Sequence, residues 1–388
     1  MLRVTEAFFW TSLFIIIYTY IGYPLLLLLI TNLKRMSRTV IPPAAFYPKV
    51  TLIISAYNEE DIIREKISNT QQLDYPADLL EIIFITDGST DKTPEIISQF
   101  PEFRLLHQNE RKGKLAAMNR AISHTTSGIT IFSDANGFLN RNCIRRLVQH
   151  YSDPRVGGVT GEKKIEKTTG SVADGEGLYW KYESLLKQLD SDLNSVVGAA
   201  GELFSLRTEL YTPIPANIII EDFVQSLLLC RRGFKVKYEA GAYSTEKASL
   251  HIRDEMERKI RISAGAFQAM WFLKDLLNIF RHPLLSFQYI SHRVLRWTLC
   301  PLALIFFLVS TCALYLLTNH QAYALLAVFQ LLCYAAAAIG WQFALKNQKL
   351  PVFYLPFYFA FMNFCVLAGF RRFIGGEQLA VWKKADRR

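Results

Sequence analysis

The sequence predicts an α/β domain of Rossmann type, built on a mostly parallel sheet, with α-helical transmembrane segments at both ends. Three observations carry this expectation. Between residues 50 and 160, short β-branched runs alternate with stretches whose apolar residues recur at helical spacing, the pattern of parallel strands joined by helices. Each run ends in polar, turn-forming residues, which in an open parallel sheet face a crevice beyond the strand ends. Four uncharged stretches lie outside this region, from Phe8 to Ile30, Trp297 to Leu317, Ala322 to Leu345 and Pro351 to Phe370. Each meets the roughly 20 apolar residues needed to cross about 30 Å of hydrocarbon.

The chain is 51% hydrophobic, high for a soluble protein, and the excess is localised in these stretches. The first is too long for the apolar run of a secretory signal, roughly 7–15 residues, and reads as an anchor. Lys34, Arg35 and Arg38 follow it, so the positive-inside rule puts its carboxyl side in the cytoplasm. Ile279 to Trp297 mixes aromatics with Arg281, His282, His292, Arg293 and Arg296 and reads as an interfacial amphipathic helix. We therefore divide the chain into an anchor (1–33), a cytoplasmic domain (34–278), an interfacial helix (279–298), C-terminal transmembrane helices (299–371) and a basic tail (372–388). Three full spans after a cytoplasmic domain would leave that tail outside, against the positive-inside rule, unless one stretch is re-entrant or interfacial. The net charge of +10 sits largely beside the apolar segments, which points to anionic lipid and away from nucleic acid. Six scattered cysteines lack metal-ligand or disulfide spacing and read as reduced, structural thiols.

Taken in order, Val50 to Ser55 is a strand, followed by a loop and a helix with Ile62, Ile63, Lys66, Ile67 and Thr70 on one face. Leu80 to Thr86 is a second strand, with Pro94 at the start of the next helix. A third runs from Phe103 to His107, before an Ala-rich helix reaching His124. The fourth, Ile129 to Ser133, ends in Asp134, Ala135 and Asn136; a helix from about Arg141 and a strand at Val156 to Thr160 follow. The strand ends thus deliver Asn58 and Glu59, Asp87 and Ser89, Lys112 and Lys114, and Asp134 and Asn136 to one crevice. Neither a dinucleotide fingerprint nor a P-loop is present. Carboxylates, amides and lysines together still suit a nucleoside diphosphate, with acids on ribose hydroxyls or a cation and lysines on phosphate.

The ordered series Ala56-Tyr57-Asn58-Glu59, Thr86-Asp87-Gly88-Ser89-Thr90-Asp91, Lys112-Gly113-Lys114, Ser133-Asp134-Ala135-Asn136, Gly198-Ala199-Ala200-Gly201 and Ile220-Glu221-Asp222-Phe223 resembles the motif set of membrane-bound family-2 glycosyltransferases. That group includes cellulose synthase, hyaluronan synthase and poly-β-1,6-N-acetylglucosamine synthase. The resemblance covers Val50 to about Trp271 and implies a GT-A-like fold. It implies Tyr57, Glu59 and Asp87 around uracil and ribose, Lys114 near the diphosphate, and Asp134 and Asn136 at the D-x-D position for Mg2+ or Mn2+. Asp222 takes the place of the general base, with Glu221 beside it. Gln268 and Trp271 resemble the Q-x-x-R-W acceptor motif without its Arg, a charge that Arg258 or Arg261 would supply. The departure weakens a processive reading.

The resemblance implies an inverting transfer from a nucleotide sugar, a UDP-linked hexose or N-acetylhexosamine, to a glycan acceptor in cell-surface polysaccharide synthesis. It implies a bacterial inner membrane, with the catalytic domain in the cytoplasm and no nucleic-acid partner. Two alternatives stand: single-sugar transfer to a lipid acceptor, polyprenyl phosphate or ceramide-like, and a silent nucleotide- or glycan-binding membrane protein. Without the resemblance, Glu221 and Asp222 would read as caps of the Phe223 to Arg232 helix. Lys112 and Lys114 would read as a solvated loop, Gln268 and Trp271 as a packed face, and Tyr179, Trp180 and Tyr182 as core.

Overall fold

The computed structural model describes residues 1–36, 46–166, 171–247, 251–348 and 350–376. Arg38 and the tail from residue 377 lie outside them, so the basic tail is described only through Arg371 and Arg372. Among the described residues eight strands form one sheet: β1 (Val50–Ala56), β2 (Leu80–Asp87), β3 (Arg104–Gln108), β4 (Ile129–Asp134), β5 (Phe138–Leu139), β6 (Val156–Ile165), β7 (Leu203–Arg207) and β8 (Lys235–Glu246). Their order is β3-β2-β1-β4-β7-β6-β8-β5. β1 pairs in parallel with β2 and β4, and β2 with β3. The sheet is mixed, because β7 runs antiparallel between β4 and β6, and β5 antiparallel to β8. β7 is a five-residue segment with four fully buried positions, too short and too unpatterned for the periodicity of the sequence to announce.

Both faces of the sheet are covered, which explains its unalternating apolar strands. Leu52, Ile54 and Phe84 pack on one side against Ile63, Ile67, Ile96 and Ile97. Ile53, Ile83 and Ile85 pack on the other against Leu115, Met118 and the Glu221–Arg231 helix through Phe223, Val224 and Leu227. Lys66 sits within the first of these layers, fully buried, and donates to Gly137 O and, at 3.2 Å, to Ser133 Oγ. It thereby pins the loop that leaves β4.

Among the described residues four helices are long and apolar enough to cross a membrane: Leu2–Lys34, Leu299–Thr318, Gln321–Leu345 and Val352–Ile374. Their packing differs. Phe9 meets Phe307 at 5.2 Å between ring centroids, and Leu314 closes the same cluster, so the start of the first helix lies against Leu299–Thr318. From Tyr23 onward that helix packs on the Ser171–Leu193 helix instead, with Tyr23 and Leu27 against Leu186, Leu189 and Leu193. Only the first half of the expected 1–33 anchor therefore pairs with another apolar helix. Val352–Ile374 packs alongside Ile252–Phe272: Tyr354 and Phe357 cluster with Ile252, and the Phe370 ring meets Phe267 in a tilted contact at 4.9 Å.

Along 279–298 Arg281 is exposed, whereas the later basic residues turn into the protein. His292 and Arg293 are buried, as is Arg296. Glu183 accepts from Arg293 at 2.8 Å and from Arg296, while Asp190 bonds His292 at 2.6 Å, Gln288 at 2.9 Å and Tyr23 at 2.5 Å. Pairing with acids a hundred residues away makes burial of these charges tolerable, and local sequence cannot show it.

Candidate active site

The loops after β1 and β2 are laced together. Asn58, in the left-handed region at φ 52, accepts from Thr90 N at 2.8 Å, and Glu59 N donates to Thr93 Oγ1 at 2.8 Å. Gly88 has φ 68, and a Cβ there would stand 2.6 Å from Arg111 Cβ, so glycine is required on both counts. This close approach lets Asp87 accept from Lys112 N at 3.0 Å and Gly113 N at 2.6 Å, fixing the loop that opens the Lys114–Ile122 helix. Arg111 then lies flat over Tyr57, 3.7 Å from the ring centroid. Tyr57, Glu59, Asp87 and Arg111 line one end of a cavity of about 390 Å³.

At its centre Lys114 Nζ bridges Asp134 Oδ1 at 2.8 Å and Glu221 Oε1 at 3.0 Å. Asp134 ends β4, while Glu221 and Asp222 open the Glu221–Arg231 helix, where the dipole favours acids. Capping and site membership are thus the same placement. A Cβ on Gly201 would lie 3.2 Å from Asp222 Oδ2 and 3.5 Å from Lys114 Nζ, so this glycine leaves space beside both groups. Burial works against the Lys114 charge, yet Asp134 and Glu221 hold its pKa well above the ordinary lysine value. Burial and the neighbouring Glu221 carboxylate push Asp222 up to about 7. An acid poised there is matched to proton acceptance near neutrality.

Asn136 lines the cavity beside Asp134. Among the described residues no group of three or more His, Cys, Asp or Glu could by itself hold a metal. Arg261 reaches the cavity, close enough to Glu221 to feel its charge, while Arg258 is held by Glu255 at 2.9 and 3.0 Å. Gln268 and Trp271 do not line it. Gln268 accepts from Ile219 N at 3.2 Å and donates to Asn217 O at 2.9 Å, tying down the loop before Glu221, and Trp271 is 71% exposed. Arg111, Lys187 and Glu202 are among the lining residues given no site role from sequence. The Arg111 position beside Lys112-Gly113-Lys114 was the one available signal. Against its burial, Lys163 keeps Glu202 below the usual carboxylate range.

A mixed, mostly parallel sheet with an acid-ended central strand and helices on both faces is a GT-A-like fold. Residues 51–211 match the family model described as Glycosyl transferase family 2. It is 25% identical over 239 residues to poly-beta-1,6-N-acetyl-D-glucosamine synthase of Staphylococcus aureus (strain MSSA476), 59% of this chain and 57% of that protein. It is 29% identical over 164 residues to beta-monoglucosyldiacylglycerol synthase of Synechocystis, 40% of this chain and 33% of that protein. The chain thus spans little more than half the length of the staphylococcal relatives it matches. A solved mannosyltransferase of Pyrobaculum calidifontis, in complex with GDP-Man and Mn2+, superposes with a TM-score of 0.73 at 22% identity, covering 96% of this chain and 99% of that one. This likeness shows the fold.

Proposed function

We propose that the chain is an inverting glycosyltransferase that moves a sugar from a nucleoside diphosphate sugar to an acceptor at the membrane face, in synthesis of a cell-surface glycan. The supporting observation is Asp222, raised toward neutrality, beside a lysine that bridges Asp134 and Glu221. Tyr57 under Arg111 forms a flat platform for the nucleobase. Lys114, with Arg261, neutralises the departing diphosphate. Asp222 accepts the acceptor hydroxyl's proton as that oxygen attacks the anomeric carbon from the face opposite the leaving group, which inverts the centre. A positioned base contributes typically about 10²- to 10⁴-fold. The donor proposed is a UDP-linked hexose or N-acetylhexosamine, in line with the N-acetyl-D-glucosamine polymer named for the staphylococcal relatives.

Mn2+ accompanies GDP-Man in the Pyrobaculum enzyme. One carboxylate and one amide oxygen suit a hard divalent cation completed by donor phosphates, so Asp134 and Asn136 would hold Mg2+ or Mn2+ there to offset charge on the leaving diphosphate. Incubation of the purified protein with a panel of radiolabelled nucleotide sugars tests the assignment. Wild type is expected to turn over one of them, and equal turnover by Asp222→Asn would sink the base.

A lipid-linked acceptor is a second reading, favoured by Met362 and Val366. These residues of the Val352–Ile374 helix line the catalytic cavity, while Val352, Leu355, Phe370 and Ile374 of the same helix are exposed. That helix runs along Ile252–Phe272, whose Asp254, Glu255, Arg258 and Arg261 do not belong in hydrocarbon. We propose that it lies at the cytoplasmic interface and that three helices cross. Arg371 and Arg372 then stay on the catalytic side, satisfying the positive-inside rule. In a cysteine-free background, a cysteine at Asn319 should react with an impermeant maleimide in intact cells. One at Arg371 should react only after permeabilisation; labelling of both in intact cells would overturn this topology. A ladder of products would favour the polymer reading, a single lipid-linked species the second.

A further inference from the structure

Beyond the base, the cavity continues toward the Val352–Ile374 helix and changes character. Its carboxylates there are engaged: Glu183 by Arg293 and Arg296, and Glu202 and Glu246 by Lys163. Arg258 and Lys259 share Glu255. Lys187 is different. It is 4% exposed and lines the cavity, yet no hydrogen bond or ion pair reaches its ammonium among the described residues. Its nearest aromatic face is Trp180, whose ring centroid is 5.4 Å from Nζ, and Lys259 stands 5.6 Å from the same ring. Burial and the charge of Arg293 hold the Lys187 pKa below the ordinary lysine value. Glu183, Glu202 and Glu162 bear on it only through space, so a ligand anion in direct contact would further offset the cost of burying this cation. The donor diphosphate is served from the other side of the cavity by Lys114, which answers to Asp134 and Glu221.

We propose that Lys187, with Trp180 and Lys259, forms an anion subsite for a phosphate carried by a membrane lipid acceptor, so that the enzyme selects phosphorylated lipids over neutral ones. The proposal rests on the glycosyl-transfer reading and deepens its lipid-acceptor form. Apolar Met362 and Val366 beside the subsite would take the lipid's first carbons, while the ammonium takes the phosphate. Trp180, expected from sequence to be core, would pack over the headgroup.

The test uses the full-length protein in detergent with saturating nucleoside diphosphate and three probes: farnesyl phosphate, farnesol and inorganic phosphate. Farnesyl phosphate should raise the melting temperature and farnesol should not. Lys187→Gln should abolish the shift and Lys187→Arg should retain it, with each variant's unliganded melting temperature certifying the fold. In the transfer assay, Lys187→Gln should raise the KM for the lipid phosphate about tenfold, the loss of one charge-assisted hydrogen bond, while the donor KM moves less than about twofold. Equal shifts with farnesol, a full shift with inorganic phosphate alone, or an unchanged acceptor KM in Lys187→Gln would each overturn the subsite. Failure of wild type to bind any nucleoside diphosphate would instead remove the glycosyl-transfer reading beneath it.

Discussion

Replacing Glu221 by Gln removes one negative charge beside Asp222 while keeping the side chain's shape. Asp222 stands at about 7 against an ordinary 3.8, raised by burial first and by Glu221 next. For adjacent carboxylates roughly 6 Å apart in a water-filled cavity with an effective dielectric of roughly 40, Coulomb's law gives about 1.4 kcal/mol, or about one pH unit. The same substitution frees Lys114 from its 3.0 Å contact with Glu221, and a lysine turned toward Asp222 lowers its pKa further. Both effects act in one direction. The base must be ionised to work, so wild-type kcat/KM should rise with pH through an acid limb near 7. In Glu221→Gln that limb should move down by about one unit or slightly more. Initial rates of donor turnover between pH 5 and 9, at donor concentrations well below KM, measure it. An acid limb that stays in place or moves up in Glu221→Gln would refute the electrostatic coupling, as would a wild-type limb at ordinary carboxylate pH.

The same shift links Asp222 to stability. A carboxyl whose folded pKa is raised disfavours the folded state increasingly as pH climbs from the unfolded value to the folded one, then no further. Asp222→Asn should therefore lose about 10²- to 10⁴-fold in kcat yet melt higher than wild type. The gap should widen from pH 4 to about 7 and level off above, reaching roughly 2 kcal/mol after allowance for solvent in the cavity. Calorimetry at several pH values checks it, and a gap independent of pH would tell against a strained base. Gly201→Ala places a methyl 3.2 Å from Asp222 Oδ2, so transfer should fall at least about tenfold while the melting temperature shifts by only a few degrees. Full activity in that variant would show that nothing needs the space. Asn136→Asp adds a carboxylate beside Asp134, and the divalent-ion concentration for half-maximal activity should drop about tenfold. An unchanged metal titration would remove Asn136 from the cation's surroundings.

Strand–helix alternation was legible because β1, β2 and β4 are buried on both faces and therefore uniformly apolar. Their ends were legible too, since turn-forming polar residues there contrast with the run before them. The reversed strand β7 was not, because direction depends on which edge the chain returns to, a long-range choice with no local mark. The resemblance implied an acceptor role for Gln268 and Trp271; in the structure Gln268 binds the 217–219 loop and Trp271 is exposed.

By itself the sequence determined the fold class, the apolar helices and the convergence of Glu59, Asp87, Lys114 and Asp134 on one crevice, since hydrophobic period and strand-end chemistry are local properties; Tyr57 and Asp222 were singled out by the resemblance. Only the tertiary structure decided the rest. It joined Lys114 to both Asp134 and Glu221, and it lifted Asp222 toward neutrality through burial and a neighbouring charge. It left Lys187 buried beside Trp180, and it laid the last apolar helix along Ile252–Phe272, with Met362 and Val366 on the cavity. The burial of Asp222 and Lys187, the Lys114 bridge and the helix packing all depend on residues remote in the chain. Desolvation and Coulomb energy follow the distances between such residues, whereas composition and periodicity carry no record of them.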